Sequence, residues 1–468
     1  MTDDHQAPAT PSAPSFLTAF FTFTALIIGL MSGLYVLEAG LHGLLLIAVA
    51  LTAALGLWLG HSYHQLRKFI FGGIQKSAPA LIIFLLIGVV IAAFIQAGTV
   101  ATLIYYVLQI LSPTTFLPVG LILCSLMSFT TGTSWGTVAT IGIVLMSVGT
   151  HFGIPPGISA GMVIAGASFG DKMSPVSDTT NLAALSAETP LYRHIQSMRI
   201  TTLPSYLLTF AGFLIIGMIL NIESAQAIPS TTFIAALDNT FNLHCVTLGP
   251  LILMLGLSRF KVPAEAVLLL ASIAAMCIAF TMQKFDAAEL ITSVFTGVNI
   301  QTPDPLLDTL VNRGGMQAMA WTLTLAIIAV TLGALLSSLG LLSALLLPLS
   351  QLMRRPAALI TTSTIAATAS TATLAEPYAA ITLTGQVFKP SYQASTLDSA
   401  ILSRTIEEGS TLTAALIPWT TTAVFYAAIL GVECLVYAPY AILNWMNPLI
   451  GILFAWLGIG LRMPAPRA

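Results

Sequence analysis

Apolar runs of about 20 residues recur along this chain, and no other feature restricts its fold as strongly, because that length matches the ~30 Å hydrocarbon core of a bilayer. The clearest runs are 16–37, 41–60, 78–97, 202–220, 264–282, 318–340, 411–432 and 442–461. Backbone polar groups inside lipid must be satisfied within their own segment, so these runs predict helices. A composition that is 56% hydrophobic and 7% charged fits the same reading. The stretches 115–129, 136–150, 158–169 and 356–370 are too short or too rich in Gly, Thr and Pro to be simple spans. The expected architecture is an all-α polytopic integral membrane protein of about 11–13 helical segments, some discontinuous or re-entrant.

Placement of the charges orients the chain. Most basic residues fall in short connections: Arg67 and Lys68, Arg193 and Arg199, Arg259 and Lys261, Arg354 and Arg355, Arg462 and Arg467. The positive-inside rule marks these as cytoplasmic and puts both termini on that side. Residues 1–15 are acidic and rich in Pro, Ala and Ser without a basic start, which predicts a disordered tail and not a signal peptide. Cys124, Cys245, Cys277 and Cys434 lie scattered in apolar contexts and read as buried small hydrophobes, not as a disulfide framework or metal site.

Two halves of the sequence resemble each other. "GGIQKSAPALIIFLLIGVVIAAFIQAG" from residue 72 answers "GGMQAMAWTLTLAIIAVTLGALLSSLG" from residue 314, an offset of 242 that also relates Gly98 to Gly340. Pro113 and Pro356 follow at 243, and "SFTTGTSWGT" matches "TASTATLAEPYA" at about 240. Lys172 pairs with Arg404 if "GDKMSPVSDTTNLAAL" lies opposite "LSRTIEEGSTLTAAL", at an offset of 232. The expected organisation is a first half over 16–225 with polar breaks at 128–137 and 170–181, a connection over 226–245, and a second half over 246–462 with polar breaks at 368–378 and 403–413. Duplicated halves interrupted at corresponding positions point to a secondary transporter, with inversion the expected relation between them.

The polar breaks carry the chemistry. "GDKMSPVSDTTN" places Asp171, Lys172 and Asp178 among Ser174, Ser177, Thr179, Thr180 and Asn181 in a stretch that is poor helix and poor lipid-facing surface. An unwound backbone, hydroxyls and a carboxylate make the all-oxygen shell that a hard cation such as Na+ favours. A buried carboxylate resists standing alone as a charge, so it holds either a proton or a metal ion, and that competition couples two flows. Asp178 is the first choice as Na+ ligand, with Asp171 and Lys172 as a charge pair shaping the break. "SAETPLYRH" after it reads as an exposed connection. Glu376, followed by Pro377, is a carboxylate in a second break, opposite Thr133, Ser134 and Thr137 in the repeat. "SRTIEEGSTLT" adds Arg404, Glu407, Glu408, Ser410 and Thr411. Adjacent Glu407 and Glu408 point in different directions on a helix, so one faces the site and the other is free to pair with Arg404.

"FGDKMSPVSDTTNLA", "NRGGMQ", "AEPYAAITLTG", "LSRTIEEGSTLT" and "PWTTT" together resemble the NhaC-type sodium/proton antiporter family over about residues 60–430. The resemblance implies a multi-pass transporter of the bacterial cytoplasmic membrane that exchanges internal Na+ for external H+, with no cofactor. It also implies inverted repeats and a tendency to form homodimers. Its partners are then Na+, H+ and the lipid bilayer, not nucleic acid. Relatives that couple the exchange to malate or lactate keep an organic-acid-coupled exchanger open as the alternative.

A more remote alternative is an intramembrane serine protease, since "GTSWG" at 132–136 fits G-x-S-x-G with Ser134 as nucleophile. That chemistry needs a base in hydrogen-bond reach. The seven histidines, including His151 and His194, lie near predicted span ends or in connections, so an enzyme is not expected. "HSYH" at 61–64 is a short boundary segment and not a zinc site. A Walker-type phosphate loop is absent, so the chain carries no ATP motor.

Overall fold

A computed structural model describes residues 13–110, 112–220, 230–260, 262–302, 307–308, 311–352, 355–395 and 397–461. Most of the tail over 1–15, part of the connection over 226–245, and Lys261, Arg354, Arg462 and Arg467 lie outside the described residues. Everything described is helix or connection, with no strand. Six helices are long and apolar enough to cross a membrane, and two bent pairs raise the number to eight.

The chain opens with α1 (Phe16–Tyr35) and α2 (Leu41–Trp58). A capping box then starts α3 (Tyr63–Gln96): Ser62 accepts the Gln65 N–H and Gln65 answers the Ser62 N–H. Next come α4 (Thr99–Ile110) and α5 (Phe116–Thr131). After a break, α6 (Ser134–Thr137) runs through a π-turn at Val138–Gly142 into α7 (Ile143–His151). The first half closes with α8 (Pro156–Met173), α9 (Asp178–Ser186) and α10 (Leu191–Leu220). Four helices follow: α11 (Ser230–Thr240), α12 (Gly249–Arg259), α13 (Ala264–Thr281) and α14 (Ala287–Thr296). The second half holds α15 (Ala320–Ser338), α16 (Leu341–Leu352), α17 (Pro356–Leu374) and α18 (Pro377–Ala394). It ends with α19 (Ser399–Glu407), which continues into a π-turn at Glu408–Leu412, then α20 (Thr421–Leu430), α21 (Cys434–Tyr437) and α22 (Ile442–Trp456).

Breaks recur at one offset. Gly132 ends α5 in the left-handed region (φ 71°) and extended Thr133 caps the next helix, accepting the Gly136 N–H. Ala375 ends α17 the same way (φ 56°) and extended Glu376 caps α18, accepting the Ala379 N–H, 243 positions later. Ser177 and Thr420, again 243 apart, each accept the N–H three residues on and start α9 and α20. Pro175 and Pro418 keep the same offset. Lys172 therefore stands opposite Ala415, not Arg404, and the offset of 232 is corrected. The polar break expected at 403–413 is helix and π-turn through Leu412, and the unwinding comes after it, where Pro418 cannot donate to a helix.

Two span assignments change. Residues 411–432 are not one span: the chain is non-helical over 415–420 and α20 starts anew at Thr421. Residues 356–370, read as too short or too rich in Gly, Thr and Pro, lie in one continuous helix that runs to Leu374, in which the hydroxyls of Thr361, Ser363, Thr364, Ser370 and Thr371 are satisfied by carbonyls one turn back. Cys124 and Cys434 are buried as expected, whereas Cys245 and Cys277 are exposed.

Small residues set the scaffold around the breaks. Gly166 and Gly170 of α8 let α5 approach so closely that a Cβ at Gly166 would stand 2.6 Å from the Leu121 carbonyl oxygen. Ser128 and Ser174 then tie the pair by donating to the Ala167 and Phe129 carbonyls at 2.6 and 2.7 Å. At Gly132 a Cβ would sit 2.8 Å from the Val176 carbonyl carbon and 2.9 Å from the Ser177 nitrogen, besides the left-handed φ. Gly132→Ala is accordingly expected to destabilise the protein by about 2 kcal/mol or more, read as a lower midpoint of thermal unfolding in detergent. An unchanged midpoint would show that the two breaks of the first half are not packed on each other.

Candidate functional site

The breaks converge on one cavity of about 1610 Å³, lined by Thr133, Ser134, Asp171, Lys172, Asp178, Thr179, Asn181, Glu376 and Thr411 and reaching the exposed Lys68 and Lys76. At the repeat's equivalent positions, Thr133 answers Glu376 and Thr421 answers Asp178. Each half thus supplies one acidic and one hydroxyl-bearing break.

Asp178 starts α9 with its carboxylate facing the cavity. Its Oδ1 accepts the Thr179 N–H at 2.8 Å and its Oδ2 accepts the Tyr378 hydroxyl at 2.5 Å. Tyr378 stands two residues beyond Glu376, so this bond joins the acidic break of one half to that of the other. Glu376 accepts the Ala379 N–H at 2.8 Å through Oε2. Among the described residues neither Asp178 nor Glu376 has an ion-pair partner.

Behind this face lies a fully buried ionic cluster. Lys172 Nζ is 3.0 Å from Asp171 Oδ2 and 2.9 Å from Glu407 Oε1, and donates to Thr179 Oγ1 at 2.7 Å. Glu407 Oε2 is 2.8 Å from His194 Nε2, and His194 Nδ1 meets Ser403 Oγ at 2.8 Å. Asp171, Lys172, His194 and Glu407 are exposed by 4, 2, 0 and 0%. One ammonium serves two carboxylates, so the cluster reaches neutrality only by holding one more cation, as a proton or a metal ion. Low dielectric makes that extra charge strongly wanted.

Other side chains singled out in the sequence hold the geometry. Ser134 donates to Asp171 Oδ2 at 3.2 Å, and Thr180 donates to Glu407 Oε1 at 3.3 Å. Asn181 donates to the Ser177 carbonyl, Thr137 to that of Thr133, Ser410 to that of Ile406 and Thr411 to that of Glu407. Ser174, Ser177, Thr137 and Ser410 do not line the cavity. Glu407 and Glu408 point in different directions, Glu407 to Lys172 and Glu408 to the side of Arg404 and the Thr201 hydroxyl, and neither lines the cavity. Ser134 has no imidazole hydrogen-bonded to it among the described residues, which leaves the nucleophile reading without its base.

His194 corrects the reading of "SAETPLYRH" as exposed: the helix α10 starts at Leu191 and carries His194 into the core. Sequence reasoning missed both it and Tyr378, because their roles depend on segments about 200 residues away. At the end of the molecule beyond this cluster, Arg193 and Asp398 pair across the two halves. Partial burial raises the Asp398 carboxyl, but the Arg193 hydrogen bonds and the Ala400 N–H outweigh it and hold it below the ordinary carboxylate range.

Residues 166–459 match the family model described as "Na+/H+ antiporter family". The chain is 36% identical over 446 residues to the Na(+)/H(+) antiporter NhaC of Alkalihalophilus pseudofirmus, covering 94% of this chain and 96% of that one. It is 31% identical to a Na(+)/H(+) antiporter NhaC of Bacillus subtilis, over 95% of this chain and 98% of the relative. A malate-2H(+)/Na(+)-lactate antiporter of the same organism is similar at 33% identity, over 86% of both chains.

Proposed function

The chain belongs to the Na+/H+ antiporter family, and on that premise we propose that it is a secondary active transporter exchanging cytoplasmic Na+ for external H+ across the bacterial cytoplasmic membrane. The observation that carries this reading is the pairing of two cavity-facing acids that lack basic partners, Asp178 and Glu376, with a buried cluster one positive charge short of neutrality. Na+ enters the cavity, takes Asp178 and neighbouring oxygens of Thr133, Ser134, Thr179 and Thr411, and displaces a proton held by the acids. The loaded site then opens to the other side, Na+ leaves, and protonation neutralises the site for its return. Among the described residues no three His, Cys, Asp or Glu side chains converge as a metal centre, so the cation's shell is drawn largely from hydroxyl and carbonyl oxygens. Loop charges put both termini in the cytoplasm, and a homodimer is the assembly the family resemblance implies.

Sealed proteoliposomes with a preset pH gradient test the reading. Na+ alone is expected to collapse the gradient, and a higher proton concentration on the Na+ side is expected to raise the Na+ concentration for half-maximal flux. A gradient that Na+ leaves intact until malate or lactate is added would replace this reading with the organic-acid-coupled exchanger. Tyr378→Phe removes the hydroxyl from Asp178 and is expected to raise the half-maximal Na+ concentration by roughly tenfold, the weight of one hydrogen bond to a charged group. An unchanged value would place the cation elsewhere in the cavity.

A further inference from the structure

The densest group of buried polar atoms without partners lies outside the cavity, between α10, α22 and the helix that begins at Ser399. Arg404 Nε is 3.9 Å from Glu408 Oε1, beyond hydrogen-bond reach, and among the described residues all three guanidinium nitrogens lack a hydrogen-bond partner, as does Glu408 Oε2. Thr201 holds Glu408 Oε1 from α10, and Glu408 Oε2 lies against Gly451 of α22, where an added Cβ would stand 3.2 Å from the Glu408 carboxyl carbon. Asn447, one turn before Gly451, is fully buried, with both amide atoms unpartnered among the described residues.

This polar ridge continues in both directions. Asn444 Nδ2 donates to Ser168 Oγ at 3.0 Å, and Ser168 lines the cavity one turn before Asp171 and Lys172. At the far end, a Cβ at Gly460 would stand 3.3 Å from Arg404 Nη1, next to the exposed turn at Gly458 and Ile459. A row of unpaired polar atoms in a packed membrane protein is costly unless water completes it, and such a row leading from a helix end to an ionic cluster is a wire for protons.

We propose that these residues hold a file of water molecules that carries H+, separately from the cavity that admits Na+, with Glu408 as its titrating carboxyl. The inference rests on the Na+/H+ exchange reading. In each step one proton moves: an O–H bond of a hydronium ion at the Arg404 side breaks, leaving water, as one forms on Glu408, and that Glu408 O–H then breaks as an O–H bond forms on the water toward Asn444 and Ser168, which restores the carboxylate. Arg404 remains charged throughout and balances the carboxylate between transfers.

Asn447→Leu, which fills the file with an apolar side chain of similar size, separates the two routes in proteoliposomes. The expected result is a loss of Na+-driven H+ flux by about tenfold or more with ²²Na+/Na+ exchange, which needs no proton, retained. Asn447→Ser, which keeps a hydroxyl and room for water, is expected to restore H+ flux. Unchanged H+ flux in Asn447→Leu, or an equal fall of both fluxes, overturns the proposal. A wild-type protein without Na+-driven H+ flux would instead overturn the exchange reading itself. Infrared difference spectra across a pH step give a second readout that does not depend on the Leu variant folding. A carboxylic acid band present in wild type and missing in Glu408→Gln supports the proposal, and a band that persists in the variant refutes it.

Discussion

Replacing Asp178 by Asn is expected to reduce Na+-driven proton movement by on the order of 100-fold, the upper range for disturbing a metal site, while leaving the amount of protein in the membrane unchanged. Asn is isosteric with Asp, so its carbonyl oxygen still accepts the Thr179 N–H that starts α9. The Tyr378 contact also keeps a polar partner. What disappears is the charge, and with it the one property that in the proposed exchange lets the same oxygens hold a proton or Na+ in turn. Proteoliposome flux normalised to reconstituted protein checks the expectation. Near-normal exchange in Asp178→Asn would move the cation site to the buried cluster.

Lys172→Met should have the opposite profile, a loss of protein before a loss of function. The ammonium is shared by Asp171 and Glu407, both buried, and its removal leaves two carboxylates close together without a basic partner. Breaking a buried ionic arrangement by deleting one partner costs about 3–5 kcal/mol, which is a large share of the stability of an ordinary domain. The checks are membrane abundance and the unfolding midpoint in detergent. Adding Glu407→Gln to Lys172→Met removes one of the stranded charges and is expected to recover part of the loss. Wild-type stability in the single variant would mean that Asp171 and Glu407 are held protonated without Lys172.

These two outcomes separate roles that look alike along the chain. Asp171, Lys172 and Asp178 sit within eight residues and all line the cavity, yet the first two are buried in an ionic cluster at the end of α8 while Asp178 begins α9 exposed and without a basic partner among the described residues. The two-residue breaks at Gly132–Thr133 and Ala375–Glu376 behave similarly. Gly and X-Pro mark them in sequence, but which residue caps the following helix is fixed by the backbone turn.

The sequence by itself determined the solvent and the helices. Apolar runs of bilayer length admit only helices, because lipid offers backbone groups no other partner. Acids and hydroxyls in Gly- and Pro-broken stretches are excluded from a lipid-facing surface, because lipid does not tolerate them. Tertiary structure alone decided the pairings: Lys172 with Glu407 across 235 positions, His194 with Glu407, and Tyr378 with Asp178 across 200. It also placed the last unwinding at Pro418 and not at the charged run before it. Short motifs encode where a helix stops, whereas the partner of a buried charge is chosen by whichever segment packs against it, and that choice is made by the whole fold at once.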